Sequence, residues 1–234
     1  MPTVKRFLSN GSYHHVYNRG VEKRTTFLSD RYYHHFLDLV AYYIFDQKLP
    51  YSDFTGLPVE NRPNPPGSGA RRVTVLAYCL MPNHFHLLLR QEKDLGIRQF
   101  VSEVTNGYTK HFNIKNKRVG NLFQGTFKSK EIDSQESLWQ VTRYIHANPA
   151  LSTRTRWKKK LELYPYSSHK NYLKKTSDRI IQAAETRKLL GLENAEEYQK
   201  FVEGRVNEQQ FRLTSEFLFP HPKSWAEIKA RSQP

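Results

Sequence analysis

The stretch that most constrains this chain is VTVLAYCLMPNHFHLLLR, residues 73–90, in which two apolar, strand-forming runs are separated only by Pro82 and Asn83. The spacing predicts a β-hairpin of Val73–Met81 and His84–Arg90, because a Pro-Asn pair breaks the ladder and favours a turn. A hairpin this apolar is not stable alone and needs further strands and helices to cover it. The flanking sequence supplies them. Ser12–Arg19 (SYHHVYNR) is rich in strand formers and ends at Gly20. Asp30–Phe45 (DRYYHHFLDLVAYYIF) places apolar residues at helical spacing after Ser29 or Asp30 as cap. Leu95–Lys115 puts Ile97, Phe100, Val101, Val104, Tyr108 and Phe112 on one helical face. Thr126–Ile132 alternates as a short strand, and Ser134 opens a helix through Glu136, Leu138, Val141 and Tyr144 that Pro149 is expected to stop.

The order strand, helix, strand, strand, helix, strand, helix predicts an α+β domain with a ferredoxin-like antiparallel sheet. Its helices should pack on one face and leave the other free for a ligand. Residues 55–72, dense in proline and glycine, read as an exposed loop, part of an insertion spanning about 52–72. The division expected is a catalytic domain over 1–173 and a mostly helical C-terminal extension over 174–234. No internal repeat is present.

Charge narrows the partners. Thirty-seven basic against 22 acidic residues leave +15, with pI near 9.8, and such an excess attracts polyanions, nucleic acid above all. Aromatic residues, 13% of the chain, lie among the cations, which favours single strands whose unpaired bases stack on rings. The mean hydropathy of −0.74 describes a soluble protein, and no apolar run approaches the ~20 residues needed to span a bilayer. The amino terminus lacks the pattern of a secretory signal, so a cytoplasmic location is expected. A single cysteine, Cys79, excludes an intramolecular disulfide and a multi-cysteine zinc site.

Two constellations carry chemistry. In a strand, His84 and His86 project to one face while Phe85 projects to the other, so two neutral imidazoles form a rigid pair of metal ligands. The same pattern also suits an acid–base pair or an exposed hairpin face, and the clusters His14-His15 and His34-His35 show how readily histidines adjoin in this chain. On a helix, Tyr144 and Asn148 are four residues apart and stack on one face. With Pro149 next, Asn148 should lie in a frayed last turn, its amide oxygen suited to Mg²⁺ or Mn²⁺ beside the Tyr144 phenol. Taken alone, the pair more often describes a core tyrosine and a helix cap. His146 should face away, towards solvent or phosphate. Candidate phosphate contacts are Arg19, Lys23 and Arg24 after the first strand, Lys117 and Arg118 after the second helix, and Lys128 and Lys130 on the last strand. Arg143 on the tyrosine helix and Arg154 and Arg156 beyond it complete the set.

The runs MPNHFHLLLR (81–90), GNLFQGTFKSKEI (120–132) and YIHANP (144–149) together resemble the REP-associated tyrosine transposases, single-tyrosine HUH enzymes of the insertion-sequence type. YHHVYNRGVEKR (13–24) and YPYSSHKNYL (164–173) are similar to further family segments, and the last ~60 residues lie outside the resemblance. It implies His84, His86 and Asn148 as ligands of Mg²⁺ or Mn²⁺ and Tyr144 as nucleophile. It further implies cleavage and rejoining of single-stranded DNA through a covalent 5′-phosphotyrosine. The partner implied is a DNA hairpin, REP-like or at an element end, and the state a monomer or homodimer. The competing expectations are a non-catalytic hairpin DNA- or RNA-binding regulator that keeps the fold, and an RNA-binding module, for which no RNP motif is found.

Overall fold

In a computed structural model, the structure describes residues 9–56, 69–151, 161–174, 178–181, 183–191 and 194–203. Four strands, β1 (Tyr13–Arg19), β2 (Val73–Met81), β3 (His84–Gln91) and β4 (Lys128–Ile132), form one antiparallel sheet in the order β2-β3-β1-β4. Helices α1 (Asp30–Tyr43) and α3 (Gly96–Lys115) make the crossovers, giving the expected α+β, ferredoxin-like arrangement. A short helix α2 (Tyr51–Gly56) follows α1 inside the stretch read as an insertion; its six residues are too few for a helical period to show in the sequence.

The sheet has two unlike faces. Val16, Phe85, Leu87 and Leu89 point one way and are fully or almost fully buried beneath α1 and α3. There Phe36 of α1 meets Phe85 at 5.1 Å and Tyr108 of α3 at 5.1 Å, ring centroid to centroid. Each such side chain contributes about 1.5–3 kcal/mol by leaving water. Gly96 opens α3 where the chain passes so close that a Cβ would lie 2.3 Å from the Arg72 carbonyl oxygen, so no larger residue fits.

The second face, expected to be free, is half covered. Helix α4 (Gln135–Leu151) packs on β2 and β3, capped by Ser134, whose hydroxyl accepts from the Ser137 amide at 3.2 Å. It runs through Pro149 rather than stopping there. Proline removes only its own N–H and crowds one carbonyl four residues back, and so near the helix end the packing of α4 on the sheet outweighs that loss. Asn148 is therefore helical and buried rather than frayed.

Residues 164–172 close the outer edge of β2. The Leu80 amide donates to the Tyr166 carbonyl and the Tyr78 amide to Ser168 Oγ, while the hydroxyls of Tyr164 and Tyr172 donate to the carbonyls of Leu80 and Leu76. An unpaired apolar edge would otherwise invite aggregation. Helices α5 (His169–Lys174), α6 (Ala183–Leu189) and α7 (Ala195–Glu203) follow, so the described part of the C-terminal extension is mostly helical. His146 is the pin between them. It faces inward, fully buried, and bonds Ser168 Oγ at 2.7 Å and the Tyr198 hydroxyl of α7. The expectation that it meets solvent or phosphate is overturned, because the side of α4 that carries it meets Tyr172 of α5 and Tyr198 of α7 rather than water. No helix among the described residues is long and apolar enough to cross a membrane.

Burial holds His146 well below the ordinary imidazole pKa and His169 at about 4. In the unfolded chain both protonate near ~6.5, so between about pH 6.5 and 4 the unfolded chain binds more protons than the fold. Stability should therefore be complete above pH 7 and fall on acidification through that window, by up to ~1.4 kcal/mol per pH unit for each group. Urea midpoints at pH 7.5, 6 and 5 check this; equal midpoints would contradict it.

Candidate active site

Alternation along the strands assembles the site. On the face that α4 half covers, β1 presents His15, Tyr17 and Arg19, and β3 presents His84 and His86. β4 presents Lys128 opposite Tyr17 and Lys130 opposite His15. Tyr144 and Asn148 arrive from α4, one helical turn apart.

The side chains meet closely. His84 Nε2 lies 3.3 Å from Asn148 Oδ1, and the His84 and His86 rings are 5.0 Å apart, nearly perpendicular. The Tyr144 ring stands edge-on to His86 at 5.4 Å and to His15 at 5.9 Å. Its phenol is hydrogen-bonded to Asn148. Burial pushes the Tyr144 pKa upward, the Asn148 bond and the Arg19 charge pulling back only in part, so the resting phenol keeps its proton. Burial also keeps both site histidines neutral: His84 is pushed down to about 4, and His86 well below its ordinary value, with His84 and His15 as lesser causes.

The protonation of His84 follows from its surroundings. Asn83 Nδ2 donates to the Lys23 carbonyl at 3.1 Å, which fixes the amide so that Oδ1 faces His84 Nδ1 at 2.6 Å. An amide oxygen cannot donate, so Nδ1 carries the hydrogen and a neutral His84 has a lone pair on Nε2. That lone pair faces a second acceptor, Asn148 Oδ1. Two lone pairs converging at 3.3 Å repel unless a cation lies between them, and an imidazole with an amide oxygen suits a divalent ion. Among the described residues no three His, Cys, Asp or Glu side chains form a metal cluster, so the candidate ligands brought together are His84, His86 and the Asn148 amide. The residues present thus fit a divalent metal.

The predicted cations divide. Arg19, Lys23, Lys117 and Lys128 are exposed and Lys130 is half-buried. Arg118 instead bonds Asn113 and the carbonyls of Gly120 and Asn121, shaping its own turn. Arg24 pairs with Glu22, and Arg143 lies over the Phe201 ring of α7 at 4.9 Å. Arg154 and Arg156 lie outside the described residues. Sequence reasoning missed His15, Tyr17 and Asn83. The period-two row His15, Tyr17, Arg19 was the available signal; Asn83 was read only as a turn residue.

The family model "Transposase IS200 like" matches residues 68–148, the segment that holds His84, His86, Tyr144 and Asn148. The resemblance read from the sequence motifs holds. A REP-associated tyrosine transposase solved bound to a REP hairpin aligns with TM-score 0.53 at 15% identity, covering 77% of this chain and 91% of that one, and shows the shared fold. A candidate transposase from Deinococcus radiodurans R1 aligns at 16% identity over 62% of this chain and 95% of its own, with a TM-score of 0.34 that carries no fold argument. No curated protein sequence matches the chain.

A second tyrosine tests the geometry. Tyr108 is fully buried on the other face of the sheet, its hydroxyl donating to the Thr26 carbonyl at 2.7 Å. Tyr108→Phe should lower stability by about 1 kcal/mol, the net worth of one buried hydrogen bond, and leave the His84–Asn148 site unchanged. Denaturant unfolding with ¹H–¹⁵N spectra of the site residues checks both; displaced His84 or Asn148 resonances would contradict the separation of the two faces.

Proposed function

We propose that this chain is a divalent-metal-dependent nuclease and strand transferase acting on single-stranded DNA, with Tyr144 as its nucleophile. The observation that carries the reading is the placement of Tyr144 and Asn148, from one turn of α4, against the His84–His86 row of β3. His84, His86 and Asn148 would hold Mg²⁺ or Mn²⁺. When bound, the metal polarises the scissile phosphate and neutralises charge that builds as the bond exchanges.

The remaining chemistry belongs to the side chains. Asn148 orients the Tyr144 hydroxyl through its amide. The Tyr144 oxygen attacks phosphorus, the bond to the 3′ oxygen breaks, the phenol proton is lost and the departing 3′ oxygen gains one. A 5′-phosphotyrosine and a free 3′-OH result. Attack by a 3′-OH reverses the exchange with no net change in bond type, so no nucleotide cofactor is required, consistent with the absence of a P-loop motif from the sequence. Arg19, Lys23, Lys117, Lys128 and Lys130 contact phosphates and align the strand without reading bases. The fold shared with a protein solved on a REP hairpin supports a folded single strand as substrate. A binding-only regulator would need none of the Tyr144–Asn148 pairing that this site retains.

The deciding experiment incubates labelled single-stranded hairpin DNA with Mn²⁺ and resolves the products on a denaturing gel. Wild type should give a covalent protein–DNA band, abolished by chelator, by His84→Ala and by Tyr144→Phe, whereas Tyr144→Phe should still bind the hairpin. An adduct formed by Tyr144→Phe would remove Tyr144 as nucleophile, and an adduct undiminished by chelator would remove the metal.

Hairpin affinity should also fall steeply with salt, because each neutralised phosphate releases counterions. Replacing Lys128 and Lys130 by alanine should make the log–log slope less negative by about 1–2, since the slope changes by roughly 0.7–0.9 for each phosphate no longer neutralised. An unchanged slope would remove these lysines from the interface.

A further inference from the structure

Metal-ligating histidines need one nitrogen bare and the other tied down, because the second hydrogen bond decides which nitrogen carries the proton and which way the ring faces. Both histidines of the β3 row have such a tie. Asn83, in the turn immediately before β3, binds His84 at Nδ1, and its own amide is anchored on the Lys23 carbonyl. His15 Nε2 lies 3.0 Å from His86 Nδ1, with the two rings stacked at 5.1 Å and 19° between their planes.

We propose that His15 and Asn83 are positioning residues that fix His86 and His84 in the Nδ1–H tautomer, so that both present a bare Nε2 to the same divalent cation. The inference rests on the metal reading above and extends it to residues outside the motif that defines the site.

The two ties differ in chemistry. Asn83 acts through an amide oxygen, which can only accept. His15 acts through a second imidazole, which accepts at Nε2 only while neutral with its hydrogen on Nδ1. His15 is completely buried, and burial disfavours the charged form of an imidazole. The opposite polarity, with His15 donating, would place the hydrogen of His86 on Nε2 and close that nitrogen to a cation. The bond direction is therefore the discriminating quantity.

The surrounding backbone serves the same end. Gly20 allows the turn after β1 to pass where a Cβ would lie 2.5 Å from the Arg24 carbonyl oxygen. Glu22 and Lys23 adopt left-handed conformations with φ of 56° and 59°. Neither is glycine, and this strained geometry sets the Lys23 carbonyl against Asn83.

The test reads tautomers directly, by two-bond ¹H–¹⁵N imidazole spectra of the metal-free full chain, and affinity separately, by titration with Mn²⁺ alone. Wild type should show Nδ1–H on both His84 and His86. His15→Phe keeps a buried ring but removes the acceptor; it should shift His86 towards Nε2–H and weaken Mn²⁺ binding by about 10–100-fold. His15→Gln, whose amide oxygen accepts, should recover much of that loss, and Asn83→Ala should act in the same way on His84. Circular dichroism and thermal unfolding of each variant separate these effects from loss of fold. Nε2–H on His86 in the wild type overturns the role of His15 even if no variant folds, and a folded His15→Phe with unchanged tautomer and affinity does so equally. Failure of the wild type to bind Mn²⁺ overturns the metal site itself, while the tautomers still report on the positioning pair.

Discussion

The alternation of side chains along β3 divides the molecule into its two halves. Phe85, Leu87 and Leu89 point into the core beneath α1 and α3, and this burial holds the sheet together. The same pleat sends His84 and His86 to the opposite face, where Tyr144 and Asn148 of α4 meet them. Sliding β3 by one residue would turn the imidazoles into the core beneath α1 and α3 and Phe85 onto the face of α4, so core packing also enforces the register of the site. Stability and chemistry thus rest on one constraint, and the chemistry needs no separate scaffold.

The second face is neither a bare platform nor a closed core. Helix α4 covers β2 and β3 and is backed in turn by α5 and α7, with His146 joining them from inside. The half over β1 and β4 carries Tyr17, Arg19, Lys128 and Lys130 without comparable cover. Tyr144 and Asn148 stand near the boundary between these halves. That position would suit the proposed role of Tyr144, attack on a phosphodiester brought across a basic surface, while its amide neighbour remains fixed by packing. Rigid support of this kind matters because a reacting group displaced by about an ångström loses much of its rate advantage.

The environment of Tyr144 sets a chemical demand. Burial raises the phenol pKa, so the resting site does not hold a phenolate. In the reaction proposed above, a positive field at the phosphate would have to offset that burden, and the Nε2 of His84 opposite Asn148 Oδ1 marks where a cation would supply it. In the proposed arrangement Asn83 and His15 would leave the imidazoles as lone-pair donors without adding negative charge to the site.

Much of this was legible along the chain. The two apolar runs about Pro82-Asn83 determined the hairpin, the helical periods of 30–45 and 95–115 determined the crossovers, and His-Phe-His with Tyr144 and Asn148 four apart named the central residues. These features are periodic and local, so sequence carries them. Tertiary structure alone decided what depends on packing between distant segments. Pro149 did not end α4, because burial against the sheet outweighed one missing N–H. His146 turned inward, because residues 164–203 fold back over α4. Arg143 lies on Phe201 and Arg118 shapes its own turn, fates that charge alone does not distinguish from phosphate binding. His15 became a neighbour of His86 across 71 residues only when β1 paired with β3, since cross-strand neighbours follow from register and not from proximity in the chain.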